Sequence, residues 1–120
     1  MSLSIATTTF DCHDALKVAE FWSAAFDQPI DPEPAASQFF ASIGRSNPDG
    51  AGPQMMFINV SESKTVKNRV HLDLQADDRA AEVERLSSLG ATVVHDKEEW
   101  GVRWTTMADP EGNEFCVATH

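Results

Sequence analysis

Positive charge is scarce in this chain: 9 lysines and arginines stand against 19 aspartates and glutamates, a formal charge of −10. No basic stripe exists to neutralise phosphates, which argues against a nucleic-acid partner. Most of the acidic excess reads as solubilising; where it bears on a ligand, it favours a neutral or cationic one. Two cysteines, Cys12 and Cys116, are too few for a disulfide framework, so a reducing, cytoplasmic setting is expected. No apolar stretch approaches the roughly 20 residues of a membrane helix, and the start "MSLS" lacks a basic and apolar leader pattern. Neither a membrane partner nor secretion is expected. There is no linker-like stretch, no glycine-rich phosphate loop and no Ser–His–Asp signature.

What is present suits one soluble domain over residues 1–120, with 42% hydrophobic and 23% charged residues. Residues 4–12, "SIATTTFDC", are rich in β-branched residues and read as a strand. In "HDALKVAEFWSAAF" the period becomes helical, with Val18, Phe21, Trp22 and Ala25 on one stripe and Asp14 as N-cap. Prolines break "QPIDPEP"; "SQFFASIG" and "QMMFINV" then read as strands around the turn "RSNPDGAGP".

The order then restarts. "RVHLDLQA" alternates Val70, Leu72 and Leu74 against His71, Asp73 and Gln75. "DDRAAEVERLSSLG" is a helix capped by Asp78, striped by Ala80, Val83, Leu86 and Leu89, and ended by Gly90. "ATVVHD" and "VRWTTM" read as strands around a loop "KEEWG". Asp109-Pro110-Glu111-Gly112 fits a type I turn that sets the register of the last strand, "EFCVAT". There Phe115 and Val117 take the core side, while Glu114, Cys116 and Ala118 take the other. His13 and His95 fall at element ends and are expected to face solvent; His120 is terminal.

A shift of 64 residues places Thr7 on His71, Phe10 on Leu74, Asp14 on Asp78 and Ala25 on Leu89. The layout is strand–helix–strand–strand–strand, twice: module 1 over about 1–62 and module 2 over about 68–120. One module alone is a sheet with a helix on one face and nothing on the other. Two such modules can pair into a curved eight-stranded cup, an α+β fold with helices outside and the polar strand faces inside.

This doubled βαβββ order, with "HLDLQADD" and "DPEGNEF", resembles the vicinal oxygen chelate superfamily, which includes glyoxalase I, extradiol dioxygenases, fosfomycin-resistance enzymes and bleomycin-binding proteins. The small glyoxalase-like domains of bacteria are the nearest likeness, sharing "NRVHLDL…D…LGATVV" and "W…MADPEGNEFC". In the first half "AEFWSAAFD" stands where a helix ending in Leu-Gly is commoner. Metal-using members draw one ligand, usually His or Glu, from the first and last strand of each module. Carried over by motif, those positions are Thr7, His71 and Cys116, while "PQMMFINV" offers no His, Asp, Glu or Cys. One imidazole and one thiol fall short of the three protein ligands of a catalytic zinc site, and hard ions want carboxylates. The expectation is therefore a cup with no metal and no cofactor.

The resemblance implies a pocket for a small organic molecule. Thr9 shares a face with Thr7; Asp73, Gln75 and Glu114 share faces with the ligand positions; matched to the family's turn, Trp104 and Thr106 also look inwards. Trp100 sits on the loop above them. An aromatic wall with a few convergent polar groups is the usual construction of such a pocket. The alternative for each tryptophan is plain packing, and for Cys116 a small buried filler. His71 is the candidate catalytic residue, as a general base. The resemblance also implies a homodimer. Three functions fit: a metal-free binding protein or enzyme using His71, a metal-dependent lyase or dioxygenase of glyoxalase type, and an antibiotic-binding protein whose acidic charge and tryptophans suit a cationic planar drug.

Overall fold

A computed structural model describes residues 2–46 and 52–119. The centre of the expected turn, residues 47–51, and the terminal His120 lie outside the described residues. The fold is α+β, with two helices and two mixed sheets, and the chain divides into two compact units, Met1–Ser63 and Lys64–His120.

In the first unit β1 (Thr8–Cys12) lies parallel to β3 (Met55–Asn59), and β2 (Phe40–Ile43) lies antiparallel to it, giving the order β1-β3-β2. Helix α1 (Ala15–Phe26) packs on β2 and β3. The Asp14 carboxylate accepts the Lys17 N–H at 3.1 Å at its start, and Asp27 ends it in the left-handed region with φ 53°. Its stripe buries Ala15, Val18, Ala19, Phe21 and Trp22. The rings of Trp22 and Phe57 both pack against Phe10, at 6.0 and 5.6 Å between centroids. Burying an aromatic of this size stabilises the unit by roughly 2–3 kcal/mol.

Where the repeat calls for a fourth strand, the first unit has a single bridge, Ile30 to Ile43. The physical reason is in "QPIDPEP": prolines at 29, 32 and 34 leave too few N–H donors for a ladder. Among the described residues, seven strands and one bridge therefore stand where eight strands were expected. Asp31 closes the shortened edge with its side chain. The residue is 2% exposed, and its carboxylate accepts from the hydroxyls of Ser42 and Ser46, both at 2.7 Å, and from the Ser46 N–H at 2.8 Å.

The second unit has the same pairing order with its edge intact: β4 (Leu72–Gln75) parallel to β7 (Glu114–Ala118), then β6 (Val102–Ala108) and β5 (Thr92–Glu99), each antiparallel to its neighbour. Helix α2 (Arg79–Ser88), N-capped by Asp78, packs on β5, β6 and β7. Leu86 is its one buried residue; Ala80, assigned to the stripe from the sequence, is exposed.

Two local features depart from the sequence reading. Strand β5 runs straight through "KEE", and Trp100 and Gly101, with φ 55° and 77°, make a two-residue type I′ hairpin where a loop was expected. The pairing of β5 also shifts between Val93 and His95, so Val94 is the extra residue of a β-bulge. At the far end, the Gly112 N–H donates to the Asp109 carbonyl at 2.8 Å, closing the turn. The buried Asp109 carboxylate accepts from the N–H groups of Glu111 and Asn113.

Candidate functional site

The register of the second sheet builds the site. Asp73 on β4 pairs with Cys116 on β7, Cys116 with Thr106 on β6, and Thr106 with His95 on β5. Four side chains that carry polar or thiol groups thus form one row across four strands, on the face opposite Phe115, Val117 and Thr105. That other face is the helix side, since Arg79 of α2 donates to the Thr105 hydroxyl at 2.7 Å. The next row holds Gln75, Ala118, Trp104 and Lys97.

These rows floor an open cleft of about 700 Å³ within the second unit. His71, one residue before β4, stands beside the floor, with its Nε2 3.4 Å from Asp73 Oδ1. The Thr106 hydroxyl lies 3.3 Å from the Cys116 sulfur. Trp104 is the cleft's aromatic wall, and Trp100, 89% exposed at the hairpin tip, stacks on it with centroids 6.5 Å apart and planes 15° apart.

A strap formed by residues 64–67 makes the opposite rim. Glu114 holds it: Oε1 accepts from Lys64 Nζ at 2.8 Å, and Oε2 accepts from the Asn68 N–H at 2.9 Å. Asn68 answers through its own side chain, accepting the Glu114 N–H at 3.1 Å. Burial raises the Glu114 pKa and is the largest single influence. Together, however, the Lys64 and backbone hydrogen bonds outweigh it and leave the group below the usual carboxylate range.

Of the residues singled out from the sequence, the second unit brings together His71, Asp73, Trp104, Thr106, Glu114 and Cys116 around this cleft. Gln75 is exposed at the end of β4, outside the lining. Thr7, one residue before β1, and Thr9, exposed within β1, belong to the first unit. His95 lies inside β5 instead of at an element end; it is exposed, as expected, and lines the cleft. Lys97 and the strap residues Lys64, Val66 and Lys67 were also missed. The bulge that puts His95 and Lys97 on the cleft face has no sequence signature, and the strap reads only as a polar spacer.

A glyoxalase-like domain model matches residues 7–118. The chain belongs to that family, and through it to the vicinal oxygen chelate superfamily. No curated protein matches it in sequence. Solved glyoxalase-like folds superpose along nearly its whole length. The fosfomycin resistance protein FosX of Listeria monocytogenes gives a TM-score of 0.75 at 14% identity, covering 100% of this chain and 95% of its own. A glyoxalase/bleomycin resistance protein/dioxygenase family enzyme of Burkholderia phytofirmans PsJN gives 0.70 at 16%, covering 94% and 95%. TioX of Micromonospora sp. ML1 gives 0.65 at 19%, covering 98% of each chain. At these identities the likeness is one of fold.

The metal set implied by the resemblance can be tested against the donors present. His71, Asp73 and Cys116 each offer one ligand atom, and these atoms all lie within 4.8 Å of one another. Asp73 is the donor that the sequence reading did not count as a ligand. A nitrogen, an oxygen and a sulfur match the three protein ligands of a zinc-type site with an open position, and suit hard Mg²⁺ poorly. The first-unit positions supply nothing comparable: Thr7 precedes β1, and methionines 55 and 56 pair with it from β3.

Proposed function

We propose that this glyoxalase-like domain binds a small organic molecule in the cleft of its second unit, with a planar apolar part of the ligand lying on Trp104. The observation that carries the reading is the Trp100–Trp104 pair. A tryptophan at positive φ is strained where glycine or asparagine would be at ease, and strain of this kind is kept where something else uses the residue. The stacked indoles extend a π-surface beyond the sheet, above a row of groups able to donate and accept hydrogen bonds. If the domain is catalytic, His71 is the general base, held by the Asp73 carboxylate. Two cysteines, too few for a disulfide framework, suit a cytoplasmic setting. The exposed valines 66, 70, 93 and 94 suit burial in a homodimer.

Amide-resolved NMR titration with planar aromatic fragments tests this. Shifts centred on Trp104, Thr106 and Cys116 support the reading. Shifts confined to the shallow groove beside Glu20 and Gln28 in the first unit, or none at all, reject it.

The three-donor cluster favours a second reading, a metal-dependent lyase or dioxygenase of glyoxalase type. His71, Asp73 and Cys116 would hold a zinc-type ion, which supplies Lewis-acid polarisation of a bound oxygen. An antibiotic-binding role is the first reading with a drug as the ligand, in keeping with the resistance function in the Listeria protein's name.

A further inference from the structure

The charge in the cleft has the opposite sign to the charge of the chain. Three of the nine basic residues line it, Lys64, Lys67 and Lys97, against two of the nineteen acidic ones, Asp73 and Glu114. Glu114 is already matched by Lys64 at 2.8 Å, and Asp73 faces His71 at 3.4 Å. Among the described residues Lys67 and Lys97 make no side-chain ion pair or hydrogen bond. Two lysines without a side-chain partner thus line a cleft whose floor holds Asp73 beside the uncharged Thr106 and Cys116.

The bulge at Val94 produces this. Uninterrupted alternation from Val94 would carry Asp96 and Glu98 along the cleft face. The extra residue reverses the phase, so Val94, His95 and Lys97 line the cleft while Asp96 turns to the helix side. There Asp96 accepts from the Thr105 hydroxyl and meets Arg79 at 3.5 Å. Glu99, next on the Lys97 side, falls outside the lining. A carboxylate is removed from the rim and a lysine stands directly across from Trp104.

From this arrangement we infer that the ligand of the cleft is an anion, a planar conjugated acid whose ring lies on Trp104 and whose acidic group is met by Lys67 and Lys97. The inference rests on the cleft being the ligand site, and it reverses the preference for a neutral or cationic ligand read from overall composition. Electrostatic matching of this kind selects partners by sign and weakens with salt.

Three probes of one shape and different charge decide it: 2-naphthoate, 2-naphthamide and 2-naphthylmethylammonium, titrated into the full chain by amide-resolved NMR and tryptophan quenching. Naphthoate is expected to bind at least about tenfold tighter than either of the others, and to lose several-fold in affinity between low and high salt. A Lys67→Gln, Lys97→Gln double variant should erase that preference and leave naphthamide binding unchanged; both side chains are exposed, so the fold is not at stake. Equal or tighter binding of the amide or the ammonium overturns the inference while leaving the cleft as a ligand site. So does a naphthoate preference that survives in the double variant. If no probe shifts the signals around Trp104, the cleft itself is not the ligand site, and both readings fall.

Discussion

The indole of Trp100 stacks on that of Trp104 across the β5–β6 hairpin, one ring almost fully exposed and the other forming the cleft wall. The two rings therefore answer differently to substitution. Trp104→Phe keeps an aromatic wall and should cost less than about 1.5 kcal/mol, as volume-tolerant swaps do, while weakening aromatic ligands. Trp100→Ala removes a ring with little burial and should leave stability within about 0.5 kcal/mol. Denaturant unfolding and fragment titration on the same two variants check this. A collapse in the melting temperature of Trp104→Phe would mean that the ring serves the core.

Acid should loosen the strap at residues 64–68. Folding lowers the Glu114 pKa, so its contribution is complete above the unfolded value, near 4.3, and fades as pH falls through the lower folded value. The carboxylate holds both Lys64 and the Asn68 N–H, which makes the clamp worth about 1–2 kcal/mol. The protection factor of the Asn68 amide, its exchange rate relative to the unprotected amide at the same pH, should be high at pH 6 and fall as pH drops through the lowered Glu114 pKa. Glu114→Gln should show low protection of that amide already at pH 6, with a flatter acid dependence.

Two glycines with positive φ make a contrast. A Cβ at Gly44 would meet the Pro53 carbonyl oxygen at 2.2 Å, backbone against backbone, whereas a Cβ at Gly101 has nothing within 4 Å. Gly101→Ala should cost only the conformational strain, about 1 kcal/mol. Gly44→Ala adds a clash that must move a strand end, and should cost at least about 2 kcal/mol more, or prevent folding. Thermal unfolding of the pair measures the difference.

What the sequence made legible was whatever a local rule governs. Asp14 and Asp78 cap helices in the structure because a short carboxylate before a helical period has one good partner, the free N–H groups of the first turn. The turn at Asp109 and the phase of "EFCVAT" followed from Pro and Gly at fixed offsets. The repeat was legible too, since the same pairing order recurs in both sheets.

What escaped was set by non-local pairing. Strand β5 is exposed along its whole length, so its residues carry no inside–outside pattern for the period to report. Its bulge answers to pairing with β6, and with it went the placement of His95 and Lys97 on the cleft face. Asp73 was legible as a cleft residue. Its closeness to both His71 and Cys116 needed the parallel register of β4 with β7.

Cys116 gives the sharpest decision about chemistry. It sits between Asp73 and Thr106 in the cross-strand row, with the Thr106 hydroxyl 3.3 Å away, at a position where a metal-using relative would place a ligand. In a metal-free cleft a half-buried thiol is well suited there, because it packs as a small apolar group and adds no second negative charge beside Asp73. With His71 and Asp73 it also completes a set of three donors. The two states predict opposite results for one substitution. If the cleft works without metal, protein purified without chelator should carry far less than one zinc per chain. Cys116→Ser should then leave aromatic fragment binding within about threefold, since the hydroxyl can keep the Thr106 contact. If the set holds zinc, elemental analysis should give close to one ion per chain, Cys116→Ser should lose most of it, and Asp73→Asn should lose part. Folding linked to the metal would then lower the melting temperature on adding a chelator. The expected outcome for this glyoxalase-like domain is the first, because Asp73 and His71 are both exposed and already face each other. Near-stoichiometric zinc in the native chain, absent from Cys116→Ser, would replace it with the second.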